Sequence, residues 1–206
     1  NLPYSENVNS LNIVPKYHSV IQNGKKIISF ENIEFSRILI AWQIHSKKDT
    51  KLLLGFEMLA SILCDGHNGK LVRPLKEDNN LIESIYADVY PGEFGNLFII
   101  ETACLTENLS LVESNLNKIL KETFMEGHIS KEDVKRASRM IISNYAFNLE
   151  TVTELTSFFG SNLLWERRNP HVKLKKDIAY WSNIDNFQEI FNYLSTERFT
   201  LIVEKI

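Results

Sequence analysis

Hydrophobic and polar positions along the chain follow two periods. KKIISF (25–30) and RILIAWQIH (37–45) are β-branched and aromatic runs separated by the polar ENIEFS, which predicts two strands. In TKLLLGFEMLASILCDG the period changes: Leu53, Phe56, Leu59, Ala60 and Leu63 recur at three-to-four spacing. Asp49-Thr50 can cap this helix and Gly66 stands where it would stop, so a mostly buried helix is expected. A short helix ending near Glu77 and the polar turn Asp78-Asn79-Asn80 lead to a strand over 82–90, alternating around Ile85, Ala87 and Val89. The turn PGEFGN then returns the chain along a second strand over 97–105.

The second half is mainly helical. LSLVESNLNKILKETF (109–124) is amphipathic and Gly127 closes it, while Ser130 to Asp133 has the Ser-x-x-acid pattern that opens a helix running to about Leu149. Further helices are expected over 151–167 and 183–194, with Pro170 breaking the chain between them, and FTLIVEKI reads as a closing strand. This order implies an α+β fold, an antiparallel sheet with helices packed on one face, as one domain over 25–206. Residues 1–24 are polar, rich in Asn and Ser and begin without Met, so they read as a linker in a chain cut from something longer.

Composition narrows the function. With 206 residues, 44% of them apolar, the chain can bury a sizeable core. Its 23 basic and 26 acidic residues are scattered, so no basic stripe exists for a nucleic-acid backbone. No run approaches the roughly 20 apolar residues of a membrane span, and the first residues lack the basic start and apolar core of a signal peptide. A soluble protein is expected, cytoplasmic, or periplasmic if bacterial, with any targeting signal upstream. Cys64 and Cys104 lie in apolar runs, as free thiols do.

Candidate chemistry is sparse. Histidines stand at 18, 45, 67, 128 and 171, no two closer than 22 positions, so no helical zinc motif with imidazoles one turn apart exists. Cys-x-x-Cys, a P-loop, G-x-G-x-x-G and G-x-S-x-G are also missing. His45 and His67 read as exposed or singly hydrogen-bonded rings. Glu101, a charge inside the apolar run FIIETACL, needs a partner, and an outward-facing side chain is expected.

The stretch HNGKLVRPLKEDNNLIESI followed by YADVYPGEFGNLFII resembles the second half of the M16 (insulinase/pitrilysin-like) metallopeptidases, where S-R-L-Y-R-x-L-R-E-E-x-G-L-A-Y-S-V precedes a strand, a turn and a second strand. FMEGHISKEDVKRASRMI is similar to a further helix-helix joint of that family, and RILIAWQIHSKKDT looks like its opening strand. The resemblance covers about 25–206. It implies a fold of the LuxS/MPP-like metallohydrolase type, used in repeated domains that face each other around a peptide chamber.

In the family's catalytic domain H-x-x-E-H lies on the helix after the second strand. The corresponding helix here puts Glu57, Ala60 and Ser61 in place of His, Glu and His. The resemblance therefore implies no catalytic residue and no metal in this chain, with zinc expected in a catalytic partner domain. The family's non-catalytic half contributes an Arg and a Tyr to substrate. Lys76 and Glu83 occupy those positions, Arg73 is a further candidate chamber-wall residue, and a one-register shift would bring Tyr86 to the Tyr position. Lys keeps a charge but lacks the guanidinium fork.

Two functions follow. One is the non-catalytic half of a zinc peptidase, contacting peptide substrate while a catalytic M16 domain in cis or in trans cuts it. The other is a structural or interaction module that kept the fold without peptidase association, as in respiratory complexes.

Overall fold

A computed structural model describes residues 23–44, 49–92, 95–164, 170–194 and 198–206. The expected linker lies almost wholly outside these residues, as do His18, His45 and the tip of the PGEFGN turn.

Five strands form one sheet in the order β1-β5-β2-β4-β3. They are β1 (Gly24–Phe30), β2 (Ser36–Ile44), β3 (Ser84–Tyr90), β4 (Asn96–Cys104) and β5 (Arg198–Lys205). The helices are α1 (Thr50–Cys64), α2 (Leu109–Met125), α3 (Lys131–Phe147), α4 (Val152–Leu164), α5 (Pro170–Trp181) and α6 (Phe187–Leu194). None is long and apolar enough to cross a membrane among the described residues.

The α+β reading and the single helix-covered face hold. Ile38, Ile40, Trp42, Phe98, Ile100 and Ile202 point to one side of the sheet and are fully buried. Helices lie on that side: Trp42 Nε1 donates to the Leu194 carbonyl at the end of α6 (3.1 Å), and Lys25 Nζ reaches Glu113 of α2 (2.6 Å). The opposite face carries Leu39, Ala41, Leu97, Ile99, Leu201 and Val203, which are only half-buried.

Local signals explain the helix ends. Asp49 accepts from the Leu52 N–H (3.0 Å) at the start of α1, and Gly66, at φ 66°, takes the left-handed conformation just past its end. Ser130 and Asp133 form the expected capping box of α3. α1 is buried nearly all round, with Leu52, Leu54, Met58 and Ile62 inside as well as the periodic set.

Three features depart from the sequence reading. β1 pairs with β5 in parallel, so the sheet is antiparallel in its other three ladders only. Pro170 starts a helix instead of merely breaking the chain, because a proline at the first helical position gives up an N–H that has no partner there. The turn before β3 is a short π-helix (Arg73–Glu77) closed by the Asp78 N–H on the Arg73 carbonyl (2.9 Å).

Candidate functional site

The joint before β3 places the four candidate contact residues. Lys76 Nζ donates to the Glu83 carbonyl oxygen (2.5 Å), and the Glu83 N–H donates to the Ala103 carbonyl (2.8 Å), so these two meet through backbone atoms. Asn80 takes a left-handed φ of 50°, which an Asn tolerates, and Asn79 Nδ2 braces the turn on the Pro74 carbonyl (2.6 Å). Arg73 Nε stands 3.8 Å from Asp78 Oδ2, both side chains more than half exposed, a pair that contributes little.

Tyr86 projects from β3 onto the half-buried sheet face. It stands directly opposite Glu101 of β4 and donates its phenolic hydrogen to that carboxylate, whose other oxygen takes Arg37 Nη1 of β2 (2.5 Å). The hydrogen bond to Glu101, with some burial and the Glu101 charge, pushes the Tyr86 phenol up from its ordinary value. The expected partner of Glu101 is thus a pair, both on the face away from the helices. Sequence reasoning missed Arg37, although its alternation within RILIAWQIH puts it on the same face as Glu101.

A second region lies at the edge of the sheet. Glu57, Ala60, Ser61 and Asp65 of α1 and its C-terminal cap line one wall of a cleft of about 460 Å³. Ala87 and Asp88 of β3 face them, and Asn144, Tyr145, Phe158 and Asn162 of α3 and α4 close it. Ser61 is 2% exposed and its Oγ has no hydrogen-bond partner among the described residues. Burial, then the charge of Asp65, raise the Asp88 carboxyl above the ordinary range, against the Val89 N–H that pulls it down.

Positions 57, 60 and 61 therefore line a cleft, but their donors do not suit zinc. Ala60 offers no ligand atom, Ser61 only a hydroxyl, and among the described residues no group of three or more His, Cys, Asp or Glu side chains could hold a metal. His67 is an exposed ring bonded through Nδ1 to Glu77 (2.9 Å), as expected. His171 packs edge-on against Phe159. Both cysteines are free, and burial, with Asp65 adding, pushes the Cys64 thiol up, away from the thiolate form.

Residues 2–141 match the family model for the peptidase M16 inactive domain. The chain belongs to the M16 inactive-domain family. No curated protein matches the sequence. Solved structures share the M16 fold: a protease from Helicobacter pylori superimposes with a TM-score of 0.73 at 12% identity, covering 89% of this chain and 44% of that one. The inactive peptidase domain from Bordetella parapertussis gives 0.68 at 10% identity, covering 89% and 96%. A chain of complex III2 from Candida albicans gives 0.71 at 13% identity, covering 88% and 46%. The M16 chain described here spans less than half the length of the Helicobacter pylori protease.

Proposed function

We propose that this chain is the non-catalytic half of an M16-type zinc peptidase, forming part of a peptide chamber's wall while a separate H-x-x-E-H domain hydrolyses the substrate. The observation that supports it most is the sheet face left half-buried by the helices, which joins an apolar floor to a polar rim of Arg37, Glu101 and Tyr86. An extended peptide presents alternating side chains and backbone polar groups, and such a surface suits both. Zinc, held by the partner domain, would polarise the scissile carbonyl.

Within this reading Lys76 is the principal substrate contact. An ammonium has three donors and the Glu83 carbonyl takes one, which leaves two for a peptide carbonyl. Tyr86 has given its hydrogen to Glu101, so its oxygen can accept from a peptide N–H. Arg73, one turn before Lys76 and paired with Asp78, and Glu83, whose carbonyl holds the ammonium, are the further contacts of this reading. The complex III2 likeness supports the second reading, a structural module without peptidase association.

The test is kcat/KM of the assembled enzyme for a quenched peptide. Lys76→Ala should lower it about tenfold or more, the worth of one desolvated charge-assisted hydrogen bond, with Lys76→Arg restoring it. A change below about twofold with folding intact would remove Lys76 from substrate binding. If Tyr86→Phe alone is damaging, the family's Tyr role belongs to Tyr86.

A further inference from the structure

We propose that Arg37, with Lys205 beside it, receives a carboxylate of a peptide lying on the sheet face away from the helices, either an acidic side chain or the C-terminal carboxylate. This role rests on the chamber-wall reading and names the class of peptide that the face selects.

Strand register gathers these groups. On the face away from the helices Arg37 of β2 stands opposite Val203 of β5 and Ala103 of β4, and Ile28 of β1 continues that row beyond Val203. Lys205, two residues along β5 from Val203, shares the face and stands opposite Phe30. Leu39 and Leu201 fill the next row. Two cations thus border an apolar floor.

The anion that Arg37 contacts is already satisfied. Glu101 is 13% exposed and takes Arg37 Nη1 on one oxygen and the Tyr86 hydroxyl on the other, so it has little left for a ligand. Arg37 itself is 52% exposed. A guanidinium has five N–H donors, the Glu101 bond uses one, and among the described residues no further acceptor meets the rest. Anchored on Glu101, it can take a second carboxylate on parallel N–H bonds with less of its own side chain left to order.

Charge and floor together select the ligand. Lys205 Nζ has a long contact, 3.5 Å, with the Glu34 carbonyl, and among the described residues Glu31 and Glu34 of the β1–β2 turn form no ion pair with Arg37 or Lys205. The other carboxylate of this face, Asp88 of β3, is level with Ala41, four residues along β2 from Arg37. That is roughly 13 Å along the strand, beyond the Debye length of about 10 Å at 0.1 M salt. A bare anion gains nothing from Ile28, Leu39, Leu201 and Val203, whereas apolar side chains flanking an acidic residue of an extended peptide would bury surface on them.

The experiment titrates the 206-residue chain at low salt with acetyl-Val-Ala-Glu-Ala-Val-amide, with acetyl-Val-Ala-Gln-Ala-Val-amide and with the glutamine peptide ending in a free carboxylate, following backbone amide resonances. Saturable shifts centred on residues 28–30, 37–39 and 203–205 are expected. At least one carboxylate peptide should bind about fivefold more tightly than the neutral one, the upper end for an exposed ion pair. Arg37→Gln should abolish that preference, Arg37→Lys should keep part of it, and Lys205→Gln should reduce it. The tighter of the two carboxylate peptides identifies the source. Equal binding of all three peptides, binding of none, a preference that survives Arg37→Gln, or saturation by inorganic phosphate with the peptides inert overturns the carboxylate role. The chamber-wall reading fails separately, by kcat/KM of the assembled enzyme.

Discussion

Tyr86 and Glu101 stand directly opposite each other on β3 and β4, and the phenol donates to the carboxylate on the sheet face away from the helices. The phenol is held neutral by that bond, so its folded pKa lies above the unfolded value. Its contribution to stability is complete below about pH 10 and is lost as pH rises through the folded value. Ultraviolet titration of the folded chain should show a late-ionising tyrosine component. Tyr86→Phe should remove that component and Glu101→Gln should move it towards the ordinary range. A late component that survives Tyr86→Phe contradicts the assignment.

Arg136 joins α3 to the end of α1. Its guanidinium donates to the Asp65 carbonyl (2.5 Å), the Ile62 carbonyl (3.1 Å) and the Ser61 carbonyl (3.3 Å), adding charged donors to the last turn of α1, where the Ser61 carbonyl also takes the Asp65 N–H and the Ile62 carbonyl the Lys70 N–H. Arg136→Ala should cost about 2–3 kcal/mol in urea unfolding, since charged donors to carbonyls are worth about 1.5–3 kcal/mol. Arg136→Lys should recover less than half, because one ammonium cannot span three carbonyls.

Two helical glycines should respond with opposite sign. A Cβ on Gly55 of α1 would lie 2.5 Å from the Trp181 ring and 2.7 Å from Ile190 Cδ1, and that ring is fixed by its N–H on the Lys51 carbonyl (2.7 Å). Overpacking of about 1–3 kcal/mol outweighs the gain of about 1 kcal/mol in helix propensity, so Gly55→Ala should lower Tm. A Cβ on Gly160 of α4 would meet nothing within 4 Å among the described residues, so Gly160→Ala should raise stability by about 0.5–1 kcal/mol.

Asp88 and Asp133 should give opposite pH dependence. Burial, with the Asp65 charge, raises the Asp88 carboxyl, so its favourable contribution is complete below the unfolded pKa and lost as pH rises through the folded one. Asp88→Asn should therefore raise Tm at pH 7 and change it little near pH 3. Burial also pushes Asp133 up, but the backbone and hydroxyl of Ser130 and the ammonium of Lys70 outweigh it and hold the carboxyl low. Its contribution is present above the unfolded pKa and lost as pH falls through the folded one. Asp133→Ala should lower Tm at pH 7 by more than near pH 3, measured by thermal unfolding across that range.

Much of this architecture is legible in the chain because its signals are local. Period-two alternation marks β2 and β4, the Asp49 cap and Gly66 bound α1, and Ser130-Asp133 opens α3. What escaped was set by distant partners or by ambiguous residues. The parallel β1-β5 ladder joins Gly24 to Phe199, a pairing that no local pattern encodes. α5 begins at a proline that also reads as a breaker, and its sequence buries little beyond Asp177, Ile178 and Trp181. The Arg37-Glu101-Tyr86 cluster exists only once strand register is known, and Arg136 looks in the sequence like one more surface cation. The joint around Lys76 is legible as a helix, a turn and a strand, whereas the meeting of Lys76 with the Glu83 carbonyl depends on the π-helical turn.

The most direct measurement is kcat/KM for a quenched peptide, taken on the catalytic M16 domain alone, on this chain alone and on the two together. No turnover by this chain is expected, and a rise of about tenfold or more over the catalytic domain when both are present, the effect of positioning substrate between two walls. Chelator-sensitive turnover by this chain alone, or a change below about twofold on combining the two, would contradict it.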